Sequence, residues 1–547
     1  MSESQNKQNF LHGAALLAIA TAVVKLIGAF YKIPLKMAIG DQGYSYFITA
    51  YDIYSVLLMI STAGLPVAMS RLISQAASLG QYNRVRRIYK TSRVIFLAIG
   101  IASSLLMMVG CHWLATSLSQ PDAWAAILCL SPCAFLVAVM STYRGFFQGQ
   151  GNMRPTSASQ ILEAVFKLVV GLAVAVAIMH YTQSVPLAAG GAILGVTVSC
   201  LVSVFYLQRK FTPAYRELPE SQEQVENYRT AAKNLLAIAI PITIGSAGLQ
   251  LLTVVESGLY MNRLIYLIGS GQYMSQMVSQ ELDAQGVADT LKGIYNMAQT
   301  IFNMPCAFMI PITTSVLPAI TAHLTLANDK AVKATEESAA RITGLLSLPC
   351  AVGLMVLSEP VMALLGGYSG EKLVLAGQLM VWLGASVFLY AIVQYTNVVL
   401  QSHGYAHVPV VNMLLCGGIK LAVVYVLVSN PAVGIMGAPI GAALCYLFIG
   451  VLNLIAIRHL VKQKPALLRN ILRPVIPALL MGVAAYGCLY GLQQVLGITS
   501  RVLLCGIPVC VGVVVYALCA VVFRAITAED CLLLPKGNKI AKFLHLS

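Results

Sequence analysis

Charge is scarce in this sequence. Only 10% of its 547 residues are Asp, Glu, Lys or Arg, while 58% are apolar. In soluble globular proteins about a quarter of residues are charged, so this chain cannot clothe a water-exposed surface of its own length. The usual marks of catalysis are missing too. No Walker-type phosphate loop, nucleophile motif or zinc-protease helix occurs, which speaks against an enzyme and against transport driven by ATP hydrolysis within the chain. Gly149 and Gly151, followed by Met153 and Arg154, approach a dinucleotide fingerprint but lack the third glycine and a preceding strand; they read as a tight turn. His403 and His407 flank Gly404 with no acidic or Cys partner nearby, so no metal site and no cofactor are expected. The 13 cysteines lie mostly in apolar segments, as Cys129 and Cys133 do, and make no disulfide framework.

What the chain has is apolar runs. A helix rises about 1.5 Å per residue, so ~20 apolar residues cross ~30 Å of hydrocarbon. Runs of that length recur from end to end and predict an all-α polytopic membrane protein of about fourteen transmembrane helices. The first spans fall near 11–37 and 45–70, the seventh near 235–267 and the eighth near 293–322. A formal net charge of +15 would suggest a nucleic-acid partner in a soluble protein. Here the basic residues collect on one side of the predicted spans instead: Arg84, Arg86, Arg87 and Lys90; Arg209 and Lys210; Arg458, Lys462, Lys464, Arg469 and Arg473; Lys536, Lys539 and Lys542. That asymmetry follows the positive-inside rule. It predicts a multi-pass protein of a bacterial plasma membrane with both termini cytoplasmic, and no nucleic-acid partner. The apolar start resembles a signal peptide, but an internal repeat argues that the first span is retained.

Three segments match three others in the same order. Residues 28–40 lie over 257–269, pairing Tyr31 with Tyr260 and Gly40 with Gly269. Residues 65–72 lie over 310–317, pairing Pro66 with Pro311. Residues 148–167 lie over 401–420, pairing Gly151 with Gly404. The offset grows between the first two matches, which places an insertion at 270–285, a polar stretch without basic residues suited to an external loop. The predicted organisation is therefore two pseudo-symmetric six-helix lobes plus two C-terminal helices. Residues 1–207 form an N-lobe (helices 1–6), 208–233 a cytoplasmic linker, 234–457 a C-lobe (helices 7–12), and 458–547 helices 13–14 with a cytoplasmic tail. Repeats of this kind are typical of secondary transporters, which handle substrate between their halves.

Ionisable residues at membrane depth cost several kcal/mol unless paired or hydrated, so each is a candidate for function. Lys25, Lys32 and Lys36 share one stripe of helix 1. Glu163 and Lys167 stand four apart in helix 5, the spacing of a structural ion pair. Lys420 holds the equivalent place in helix 11 without the acid. Glu256 and Arg263 share a face of helix 7, and Asp52 lies in helix 2. Lys36 is also placed to snorkel to the outer interface. Bases outnumber acids within the spans, and such an interior suits an anionic passenger. The substrate-binding candidates are Lys25, Lys32, Lys167, Arg263 and Lys420. Asp52, Glu163 and Glu256 are candidates for ion coupling or charge balance.

The stretches KLIGAFYKIPLKMAIG (25–40), GLPVAMSRLIS (64–74) and RGFFQGQGNMRPTSASQILE (144–163) resemble the stage V sporulation protein B and YtgP-type members of the multidrug/oligosaccharidyl-lipid/polysaccharide exporter superfamily. The likeness covers nearly the whole chain and includes the two extra helices of the lipid II flippase branch. It implies a two-lobed helical fold with a central cavity and alternating access. The implied cargo is an undecaprenyl-diphosphate-linked sugar, peptidoglycan precursor lipid II or a related polysaccharide precursor. Membrane lipid and the cell-wall synthesis machinery are the other implied partners, and Na+, H+ or the membrane potential the drive. In the similar MurJ flippases basic residues line the cavity, and Lys25 falls where the resemblance puts one of them; elsewhere the sequence departs from MurJ. Two other readings stay open: a cation-coupled drug antiporter of the MATE type, for which the three acids would serve, and a non-transporting cell-wall assembly factor, which would need none of the buried charges.

Overall fold

In lipid a chain must satisfy its backbone N–H and C=O groups internally, and an apolar run does so as a helix. The computed structural model describes residues 3–59, 65–221, 226–271, 283–463, 465–523 and 525, and no strand occurs among them. The helices are α1 (Glu3–Met59), α2 (Leu65–Ser78), α3 (Tyr82–Val109), α4 (Cys111–Ser117), α5 (Trp124–Gly149), α6 (Arg154–Thr182), α7 (Val185–Arg216), α8 (Tyr228–Gly269) and α9 (Ala284–Thr325). They continue with α10 (Asp329–Val356), α11 (Ser358–Leu365), α12 (Gly370–Ser402), α13 (His407–Ser429), α14 (Gly437–Leu460), α15 (Leu467–Leu472), α16 (Val475–Tyr490) and α17 (Arg501–Val522). Eleven helical stretches of the described residues are long and apolar enough to cross a membrane. The 57 residues of α1 are two helices that meet at Gly40, whose φ of 71° only glycine adopts readily.

The chain separates into two compact units. Unit 1 comprises Met1–Gly269 with Leu282–Asn296, and unit 2 comprises Ser270–Glu281 with Met297–Ser547. By contact, then, α8 and the first turns of α9 belong to unit 1, whereas the repeat in the sequence divides the chain at 208–233.

Unit 1 is held by small residues and aromatic rings. A Cβ at Gly195 of α7 would come within 2.2 Å of the Gly171 Cα of α6, so the two backbones touch there. Such closeness is how helices gain packing energy in lipid, where no hydrophobic force joins them. Tyr31 donates its hydroxyl to the Ala192 carbonyl at 3.3 Å. Tyr44, Phe47 and Tyr51 stack along one face of α1, with centroids 6.2 and 6.0 Å apart. In unit 2 the apolar core gathers Val332, Ala339, Tyr395, Val399, Ile457 and Ile471. Buried Asn453 donates to Thr396 (3.0 Å) and Asn397 (2.8 Å) and accepts from Asn412 (2.9 Å).

Candidate functional site

Helical spacing carries Tyr51 and Asp52 onto the second half of α1, Lys32 onto the first half, and Lys167 onto α6. All four are half-buried. The Tyr51 ring is the centre: Lys32 Nζ lies 5.6 Å from its centroid and Lys167 Nζ 5.8 Å. Each ammonium gains from the negative face of the ring. Among the described residues, neither lysine forms an ion pair with a carboxylate. Asp52 and Glu163 act on them through the field alone. Glu163, expected to pair with Lys167, is taken instead by Arg144 of α5, whose Nη2 donates to Glu163 Oε2 at 3.1 Å while its Nε donates to Ser159 Oγ at 3.0 Å. Bidentate-capable guanidinium outcompetes the neighbouring lysine for that carboxylate. Lys36 does not snorkel either; it is buried and pairs with Asp41 at 3.2 Å.

Lys292 is the residue that the reading of spans passes over. It is fully buried on α9. Its Nζ donates to Thr49 Oγ1 (2.6 Å) and to Gln120 Oε1 (2.9 Å), an oxygen that also accepts from the Thr49 hydroxyl. Gln120, just before the turn Pro121–Ala123, donates through Nε2 to Ser45 Oγ (2.5 Å) and Asp289 Oδ1 (2.6 Å). The Tyr46 hydroxyl faces Asp289 Oδ2 at 3.1 Å and Asp122 Oδ2 at 3.3 Å. Gln285 donates to Asp289 Oδ1 (3.2 Å) and to the Ser119 carbonyl (2.8 Å). This network ties the kinked part of α1, the α4 to α5 turn and the start of α9 together. Lys292 also lies within electrostatic reach of Asp52, and Asp52 of Lys32 and Glu256, so network and lysine pair form one continuous charged chain inside unit 1. The signal for Lys292 was its i, i+3 relation to Asp289 in a stretch (GVADTLKGIYNMAQ) whose apolar period runs on past it.

The remaining candidates are spread out. Glu256 is buried and Arg263 half-buried, both on α8 of unit 1. Lys420 is half-buried on α13 of unit 2. Lys25 belongs to α1 by its backbone, and its side chain lies outside the described residues. His403, read from the sequence as lacking an acidic partner nearby, has one in the fold: its Nε2 lies 2.8 Å from Glu336 Oε1, in unit 2. Within unit 1, half-buried and buried cations and acids thus run through the apolar helices.

The family described as polysaccharide biosynthesis protein matches residues 10–323. This chain belongs to it. Among Bacillus subtilis (strain 168) relatives, the uncharacterized membrane protein YabM is 27% identical, covering 97% of this chain and 96% of its own. Stage V sporulation protein B is 24% identical, covering 79% and 80%, and the lipid II flippase MurJ 22%, covering 87% of each. Two solved structures share the fold. The inward closed conformation of lipid II flippase MurJ superposes with a TM-score of 0.66 at 13% identity, covering 93% of this chain and 99% of that one. An inward-facing multidrug resistance MATE family transporter of the MOP superfamily gives 0.60 at 16% identity, covering 80% and 97%. The fold of this family member is thus that of the flippase and MATE branches of one superfamily, and the protein is a multi-pass membrane protein.

Proposed function

We propose that the protein is a flippase that moves an undecaprenyl-diphosphate-linked sugar, lipid II or a related polysaccharide precursor, across a bacterial plasma membrane by alternating access of its two repeats. The observation that carries this reading is the pair Lys32 and Lys167, converged on Tyr51 with no carboxylate ion-paired to either among the described residues. A diphosphate carries at least two negative charges that cannot cross hydrocarbon unpaired, whereas a polyprenyl tail can stay in lipid. Two cations at one ring supply the missing partners, and Arg263 offers a bidentate contact that a lysine cannot. Lys25 and Lys420 complete the proposed set. Asp52, Glu163 and Glu256 keep the empty site from repelling itself, with Na+, H+ or the membrane potential driving the return. Cell-wall synthesis machinery is the proposed neighbour in the membrane.

The test is a lipid II flipping assay in proteoliposomes containing this protein alone. Lys32→Gln with Lys167→Gln should leave a folded, monodisperse protein whose flipping falls by about two to four orders of magnitude, the loss of two charge-assisted hydrogen bonds worth ~1.5–3 kcal/mol each. Undiminished flipping by the double variant would reject the site. The half-buried Asp52 is what favours the MATE-type alternative, in which a cation exchanges for a drug. In that case Asp52→Asn would abolish cation-coupled drug efflux, and wild-type protein would leave lipid II unflipped.

A further inference from the structure

The basic run that opens α3 does two different jobs. Arg84 pairs with Glu226 at 3.3 Å, Arg86 donates to the Leu218 carbonyl at 2.6 Å, and Arg87 lies 3.8 Å from the centroid of the Tyr228 ring. Those three arginines, with Asn83 donating its backbone N–H to Ser221 Oγ at 3.0 Å, hold Leu218, Ser221, Glu226 and Tyr228 against α3. Lys90 and Arg93, the next basic residues, and Arg229 at the start of α8 are exposed, and among the described residues none of them meets a carboxylate. They face a groove of about 1000 Å³ in unit 1, bounded by α3, α7 and α8.

The groove is graded from charged to apolar. Its lining is aromatic on one side, with Phe211 stacked on Tyr89 at 4.6 Å and on Tyr215 at 5.1 Å, and the two tyrosine rings tilted to one another at 5.3 Å. Along α3 the lining passes from Lys90 and Arg93 to Val94, Ile95 and Leu97 in less than two turns. Val94, beside Lys90 and Arg93, is 68% exposed, an apolar side chain left uncovered. Cations and aromatic rings at one end and uncovered aliphatic side chains at the other match an amphiphile with an anionic head. A soluble anion would leave the aliphatic end bare, and a neutral lipid would leave three cations without counter-charge.

We propose that this groove binds an anionic glycerophospholipid of the cytoplasmic leaflet, its phosphate held by Lys90, Arg93 and Arg229 and an acyl chain laid along Val94, Ile95 and Leu97. The basic run of α3 lies on the side that the charge asymmetry assigns to the cytoplasm, where anionic headgroups attract Lys and Arg. The site stands apart from the Tyr51 cluster and does not depend on it. Occupied, it would brace α3, α7 and α8 against one another at the membrane surface.

The experiment is a titration of delipidated full-length protein in detergent, followed by native mass spectrometry, with phosphatidylglycerol and phosphatidylcholine as separate probes. Wild-type protein should take up phosphatidylglycerol in preference to phosphatidylcholine. Lys90→Gln, Arg93→Gln and Arg229→Gln together should weaken phosphatidylglycerol binding on the order of a hundredfold, at ~1 kcal/mol per basic residue. The charge-conserving variant with Lys90→Arg, Arg93→Lys and Arg229→Lys should keep it. Equal uptake of the two lipids, or unchanged binding in the Gln variant, overturns the proposal. So does displacement of phosphatidylglycerol by inorganic phosphate, which would make the site one for soluble anions, or by lipid II, which would make it a site for cargo.

Discussion

At the scale of single residues, the interior separates lysines that hold structure from lysines left for a ligand. Lys292 is fully buried and has its hydrogen-bond partners in place; Lys32 and Lys167 are half-buried and rest on a ring. Removing one member of a buried charged network strands the others, at a cost of about 3–5 kcal/mol. Lys292→Met should therefore lower the thermal unfolding midpoint in detergent sharply, and adding Asp289→Asn should recover part of the loss by removing the stranded carboxylate. A midpoint unchanged in Lys292→Met would deny the network its structural role. Charge at membrane depth was legible from sequence as residue type and span, but partners were not. Arg144 reads as part of a turn and helix end, and only the fold brings it across from α5 to Glu163 of α6. Lys36 reads as an interface lysine, yet Asp41 lies one turn on, past the bend that Gly40 makes. Lys292 escaped because the apolar run was cut one residue after it.

At the scale of elements, the kink of α1 and the start of α9 belong together. Gly293 packs so closely that a Cβ there would fall 2.1 Å from the Asp41 carbonyl oxygen, and Asp41 is the partner of Lys36. Backbone, unlike the end of a flexible side chain, cannot step aside. Gly293→Ala should cost about 1–3 kcal/mol through overpacking and lower the unfolding midpoint. Gly418→Ala, where no atom lies within 4 Å, serves as the matched control and should leave the midpoint in place. Equal midpoints for the two variants would show that the α1 and α9 backbones do not meet there. The all-helical character was readable, because long apolar runs have no other way to satisfy their backbones. Turn chemistry was readable as well: Gly151 and Gly404, paired by the repeat, both adopt positive φ, 76° and 85°, just after α5 and α12. Gly40 and Gly269, also paired, differ: Gly40 breaks α1 at φ 71°, whereas Gly269 ends α8 and the positive φ passes to Gly271 at 69°. A polar insertion after one member of a pair is enough to move the turn.

At the scale of the whole molecule, what remains to be fixed is which way the chain faces. Lys and Arg are held back from translocation, so the side richer in them stays in the cytoplasm. The 35 basic residues against 20 acidic ones are unevenly spread: the start of α3 (Arg84, Arg86, Arg87, Lys90, Arg93), the end of α7 (Arg209, Lys210, Arg216) and the start of α8 (Arg229, Lys233), which flank the acidic stretch 217–227, together form one of the most basic regions of the chain. The stretch 272–282, which lies outside the described residues, carries no Lys or Arg at all. If the first stretch is cytoplasmic and the second external, α8 crosses the membrane between them, and the proposed phospholipid groove opens to the leaflet from which a lipid-linked precursor would be loaded. Glu220→Cys and Gln276→Cys, each introduced into a variant lacking the native cysteines, should answer differently to a membrane-impermeant maleimide. In intact cells the reagent should modify position 276 and spare position 220; after permeabilisation it should modify both. Labelling of position 220 in intact cells would invert the topology, and with it the leaflet to which the groove and the start of α3 belong.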